Sequence, residues 1–267
     1  MAKVKRNILW SFIGIVVLIV AVVISFIKYK NRQCNDIEVV IAEKDDDSFV
    51  DDSEVKRIIY GVIPEIQGYK MEDIDLPRLD SALREQPFIR NVDIYKTIGG
   101  LLRIEVHQRK PLLRVINKAG GNYYIDADGT IFPVSERKAT NTLVASGEIP
   151  NFYNFVQQHT YKVSVADKGK DVLADLFYLA LLINGDDFWR DQLQQIYVDG
   201  DRDSGYEYEL IPMVGKQILK IGSIDEYDRK MYYLKSFYIS GIKKTDWNKY
   251  CEINVKYKDQ IVCRKAD

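Results

Sequence analysis

The pattern of apolar and polar positions divides the chain into stretches of different texture. Residues 8 to 27, "ILWSFIGIVVLIVAVVISFI", contain no charge. At 1.5 Å of rise per residue such a run makes a helix of roughly 30 Å, the thickness of a bilayer's hydrocarbon core. It is therefore expected to span a membrane, with residues 1–7 as a short tail. A signal peptide would have a shorter apolar region and small residues before its cleavage site, whereas this run leads into "KYKNRQC". Lys3, Lys5 and Arg6 before the run are matched by Lys28, Lys30 and Arg32 after it, so charge does not orient it.

Beyond the span the periodicity changes several times. "DIEVVIAE" reads as a strand. In "SEVKRIIYGV", Val55, Ile58, Ile59 and Val62 recur at helical spacing, and Ser53 is the expected cap. A second helix, "PRLDSALREQ", is expected to have Pro77 as its first residue and to end at Pro87. "FIRNVDIYK" and "LLRIEVHQ" alternate apolar and polar residues on either side of "TIGG", the pattern of a half-buried hairpin. Residues 36–110 thus read as a small unit in the order strand, helix, helix, strand, strand.

From Pro111 short strands dominate: "LLRVIN", "NYYIDA", "TIFPV" and "TLVASG". A helix is expected at "GKDVLADLFYLALLIN", then strands at "LQQIYVDG", "GYEYELIPM" and "QILKIGS". A helix at "DEYDRKMYYLKSFYISG" precedes a closing hairpin of "EINVKY" and "QIVCR" joined by Lys258 and Asp259. The fold class is α+β: an N-terminal transmembrane helix, a β-α-α-β-β unit, and a mixed β domain with flanking helices over residues 111–267.

Composition narrows the chemistry. With 46% hydrophobic and 29% charged residues the chain can bury an ordinary core. A formal net charge of -1 leaves no basic surplus for nucleic acid. The two histidines, His107 and His159, are far apart and no C-x-x-C spacing exists, so no metal site and no cofactor is expected. Asp45, Asp46 and Asp47 lack the Gly and Glu of an EF-hand loop and read as a solvated turn.

One stretch suggests an enzyme. "YYIDADGTIF" resembles the nucleophile strand of haloacid-dehalogenase-type phosphatases, with Asp126 attacking phosphorus and Asp128 handling the leaving-group proton. "NGDDFWRD" superficially matches the later acidic motif that holds Mg²⁺ in that class. That chemistry needs a parallel sheet with helical crossovers, and too few strand-helix units lie between the two motifs. Asp128-Gly129 is also a hairpin signal: a primed turn flanked by Asp126 and Thr130 would let Tyr124 and Phe132 pack on one face. Gly185 would then cap a helix C-terminus. The hairpin is the favoured reading.

The whole chain resembles the FtsQ/DivIB bitopic cell-division proteins, with a cytoplasmic tail, one span, a POTRA domain and a C-terminal β domain. The resemblance rests on "PFIRNVDIYKTIGGLLRIEVHQRKPLLRV" with its Arg-x-Pro junction at Arg109-Lys110-Pro111, on "YYIDADGTIFPVS", and on "EINVKYKDQIVCR". It departs in its very short tail and at "NFYNFVQQHTYKVSVADKG", which matches no part of the pattern. The resemblance implies a non-enzymatic scaffold in the cytoplasmic membrane, bulk outside the cytoplasm, at the division septum. It further implies FtsB- and FtsL-like bitopic partners, a link to septal peptidoglycan synthesis, and a partner-binding edge at Tyr257, Lys258, Asp259, Gln260, Ile261, Val262 and Cys263.

Strand addition to an open edge is the physical form such binding would take. A closing strand blunted by Arg264 and Lys265 is the alternative, and the residues alone do not separate the two. A two-residue loop would pair Cys263 with Asn254, putting Cys251 on the opposite face and out of reach of a disulfide. Cys34 lacks the small and apolar neighbours of a lipidation site and reads as incidental. Another class, a POTRA-containing envelope assembly or secretion factor, would be expected to continue into a long series of barrel strands. A membrane-anchored sensor would have only the seven-residue tail with which to signal.

Overall fold

The computed structural model describes residues 2–42, 48–135, 140–151, 162–240 and 248–266, and no side chains of residues 2–12 and 28–30. The acidic turn at Asp45 to Asp47, and most of "NFYNFVQQHTY", lie outside the described residues. The chain divides into two compact units, Met1–Gln108 and Arg109–Asp267.

The first helix, α1 (Ala2–Lys30), contains the expected membrane span. Its described side chains, residues 13–27, are exposed and almost all apolar. Among the described residues no helix is long and apolar enough to cross a membrane.

The rest of the first unit has the order β1 (Asp36–Ala42), α2 (Asp52–Val62), α3 (Leu76–Arg84), β2 (Ile89–Lys96) and β3 (Leu101–Gln108). Its sheet runs β1-β3-β2, with β1 parallel and β2 antiparallel to the central strand. Strict alternation buries Leu102, Ile104 and Val106 completely on the face that receives the helices. The cap of α2 is Asp51, not Ser53: its carboxylate accepts from Glu54 N at 2.8 Å, and the Ser53 hydroxyl donates to it instead. Asp75 similarly caps α3, leaving Pro77 in the second rather than the first helical position. Cys34 is 1% exposed, so its thiol belongs to the core of this unit, and burial pushes its pKa up.

The second unit is built on nine strands: β4 (Pro111–Asn117), β5 (Asn122–Asp126), β6 (Ile131–Pro133), β7 (Leu143–Gly147), β8 (Leu193–Asp201), β9 (Gly205–Pro212), β10 (Ile218–Gly222), β11 (Tyr250–Asn254) and β12 (Val262–Lys265). They form one sheet in the order β12-β11-β10-β9-β8-β7-β4-β5-β6. The pairs β4/β7, β7/β8 and β10/β11 are parallel and the others antiparallel. Parallel neighbours need long crossovers. The one between β7 and β8 contains α4 (Val172–Gly185) and the short α5 (Asp187–Arg190), and that between β10 and β11 contains α6 (Tyr227–Ser240).

These helices cover one face of the sheet. Leu173, Leu176, Leu179 and Ile183 of α4 and Met231 and Leu234 of α6 pack with Ile196, Leu210, Leu219 and Ile253 of the strands. A buried polar contact lies in this core: Tyr208 donates to Asp175 at 2.6 Å, and Gly169 N donates to the other carboxylate oxygen. Burial and the Asp175 carboxylate hold the Tyr208 hydroxyl far above its ordinary pKa, so it stays a donor. The architecture is mixed α+β, a small β-α-α-β-β unit followed by a large sheet domain.

Candidate functional site

Asp126 ends β5, whose neighbours β4 and β6 are both antiparallel to it. A phosphatase nucleophile at the carboxyl end of a central parallel strand is therefore not what this Asp is. Its side chain is nearly buried. One oxygen accepts from Asp128 N and Thr130 N, both at 2.9 Å, and the other from Arg109 Nη1 at 2.6 Å. The carboxylate is committed to the turn and to the Arg-x-Pro junction. The hairpin reading holds, with Tyr124 opposite Phe132 and their ring centroids 5.4 Å apart. The turn is not of the primed kind, because neither Ala127 nor Asp128 has a positive φ. The left-handed residue is Gly129 (φ 78), which follows the turn as in three-residue hairpin loops.

The second acidic motif is also structural. Asp186 caps α5 by accepting from Phe188 N and Trp189 N, and pairs with Lys235 of α6 at 2.9 Å. The hydrogen bond from Lys235 holds its carboxyl below the ordinary carboxylate value. Gly185 is the last residue of α4 without a positive φ, so the helix ends at an extended Asp186 rather than at a glycine cap. Beside this pair lies a cavity of about 500 Å³ lined by Leu181, Trp189, Tyr227 and Met231 among others. No group of residues able to hold a metal ion occurs among the described residues.

The expected partner-binding stretch lies at one end of the nine-stranded sheet. β12 is paired with β11 on one side, and among the described residues no strand lies against its other side. The hairpin differs from the expected one in loop length and register. Val255 N still donates to Lys220 O at 3.0 Å, and Lys256 pairs with Glu207, so the chain follows β10 past the end of β12 before turning back. The return uses Asp259 in the left-handed region (φ 59). Seven residues, 255 to 261, thus separate β11 from β12. Ile253, not Asn254, opposes Cys263. Cys251 and Cys263 are both free thiols, and Cys251 Sγ lies 3.4 Å from Lys265 O.

The seven residues of the expected partner-binding edge, Tyr257 to Cys263, fall into two groups. Tyr257, Lys258, Asp259, Gln260 and Val262 are exposed, Tyr257 by 50% and Val262 by 47%. Ile261 and Cys263 are half-buried and pack on the core, and burial raises the Cys263 thiol. Only Val262 and Cys263 lie within β12; the others belong to the loop before it.

Sequence reasoning missed the electrostatic setting of this edge. On the sheet face opposite the helices, Lys220 of β10 lies 3.4 Å from Glu209 of β9 and 3.5 Å from Glu252 of β11. Glu252 in turn meets Arg264 of β12 at 3.4 Å. Burial alone would lower the Lys220 ammonium, but Glu209 and Glu252 outweigh it and hold its pKa above the ordinary lysine value. Each charge comes from a different strand, so no local spacing announces the ladder.

Two family models match the chain. One, described as FtsQ/DivIB, C-terminal related, covers residues 110–264, and the other, described as a POTRA-like domain, covers residues 32–107. No curated protein matches the chain. Both domains are of non-catalytic scaffold families, and the first is tied to cell division. With more than half of its length matched by that first model, the chain belongs to the FtsQ/DivIB family.

Proposed function

We propose that the protein is a membrane-anchored, non-enzymatic scaffold of the division machinery that takes a strand from a bitopic partner onto β12. The observation that carries this reading is an exposed terminal strand with one neighbour, in a chain of a division family. Such a strand offers a row of N–H and C=O groups to an extended segment, whose main chain supplies affinity while side chains select the register. Gln260, Val262 and the loop from Tyr257 to Asp259 would flank the docked segment, which fits FtsB- and FtsL-like partners. In this reading residues 8–27 cross the cytoplasmic membrane from the tail at 1–7, residues 36–110 form the POTRA domain, and 111–267 the docking domain. The bulk would then stand outside the cytoplasm at the septum, connecting early division proteins to peptidoglycan synthesis.

The test is a photo-crosslinking amino acid at Gln260 of the full chain in dividing cells, with Asp128, exposed at the opposite end of the sheet, as the control. Capture of a small bitopic coiled-coil protein from Gln260 and not from Asp128 is expected. Equal capture from both positions, or none from Gln260, would remove β12 as the docking site. Normal division after depletion would remove the division role itself.

A further inference from the structure

We propose that the strand docking on β12 carries an acidic side chain against Arg264 and an apolar one two residues away, against Val262. The inference rests on the reading of β12 as the docking edge and specifies what that edge selects.

The ladder across the open end of the sheet alternates in sign from strand to strand: Glu209, Lys220, Glu252, Arg264. Its interior members, Lys220 and Glu252, each have an opposite charge on both sides. Arg264 has Glu252 on one side only, and its side chain is 70% exposed. A further strand in the same sheet would put its own side chain beside Arg264 at the ordinary cross-strand distance, where opposite charges attract and like charges repel. An acidic residue there continues the alternation.

Val262 supplies the second feature. Successive residues of a strand alternate between faces, so Val262 and Arg264 share the charged face, while Cys263, opposite Ile253, faces the core. Val262 is exposed by 47%. An apolar or β-branched residue opposite it removes that surface from water. The occupant is therefore an extended segment of another protein with one carboxylate and one apolar side chain at positions two apart. Pairing of β12 with a second β12 does not fit: the strand is Val-Cys-Arg-Lys, and no register of those four residues sets an acid opposite Arg264.

The experiment uses the full chain carrying the photo-crosslinker at Gln260, combined with Arg264→Glu, Arg264→Gln or Arg264→Lys, and sequences the captured segment. Capture is expected to fall about tenfold with R264E and several-fold with R264Q, and to be largely kept by R264K, with the unfolding midpoint of each variant checked alongside. The captured segment should hold the acidic and apolar pair, and reversing its acid to Lys should restore capture by R264E. Capture that ignores the charge at 264, or a segment without an acid, would overturn the proposal while leaving β12 as the docking edge. No capture from the unsubstituted edge would overturn both.

Discussion

The two ends of the nine-stranded sheet are built in opposite ways. At one end β6 has three residues, two of which, Ile131 and Phe132, are each 1% exposed, and the third is Pro133, which cannot donate to a further strand. Val163 N donates to Gly129 O at 2.8 Å and Lys162 bridges Thr130, so another part of the chain lies along that hairpin. At the other end β12 has no proline, is largely exposed, and has no strand over its outer side among the described residues. What guards it is the positive charge of Arg264 and Lys265. Both are recognised ways of protecting an edge. They differ in reversibility: buried apolar surface and proline refuse every incoming strand, whereas charge refuses only those that do not match it.

Substitutions at the closed end should cost the most. Asp126→Ala removes the buried carboxylate that accepts from Arg109 Nη1 and two backbone N–H groups, and is expected to lower unfolding free energy by about 3 kcal/mol in denaturant titration. A loss under about 1 kcal/mol would mean that this hairpin does not hold the closed edge. Gly129→Ala should follow at about 2 kcal/mol, because the residue has φ 78 and an added Cβ would meet Val163 O at 2.2 Å. An unchanged midpoint would show that residues 162–163 can move away.

At the open end the same measurement should barely respond. Val262→Lys is expected to shift stability by no more than about 0.5 kcal/mol, since the side chain is exposed, while reducing crosslinking capture from Gln260. A destabilisation as large as that of Asp126→Ala would erase the distinction between the edges. The smallest effect is the pH dependence of the ladder. The folded pKa of Lys220 lies above its unfolded value of 10.5, so its contribution is complete below that pH and is lost as pH rises through the folded value. The stability difference between the native chain and Lys220→Met, a few tenths of a kcal/mol, should be constant from about pH 7 to 9.5 and shrink only above about 10.5. A difference that vanished near pH 8 would show that the ladder does not support the ammonium.

Much of the fold was legible in local pattern. Alternation at Leu102, Ile104 and Val106, helical spacing at Val55 and Ile59, and the glycine after Asp128 each report a preference satisfied within a few residues. Errors arose where several local solutions compete. Asp51 and Ser53 can both cap α2, and the carboxylate two residues upstream is the one that accepts from Glu54 N. Local pattern predicts a two-residue β11–β12 loop, because nothing local reveals that Val255 is still bonded to β10.

By itself the sequence determined which residues are apolar on which face, the order strand, helix, helix, strand, strand, and the motifs that carry the family. Only the tertiary structure decided that β12 lies at an end of the sheet, that Ile253 opposes Cys263, and that Glu209, Lys220, Glu252 and Arg264 meet in one row. The physical reason is that periodicity records how each residue faces the core, while strand order and register depend on hydrogen bonds between segments far apart in the chain.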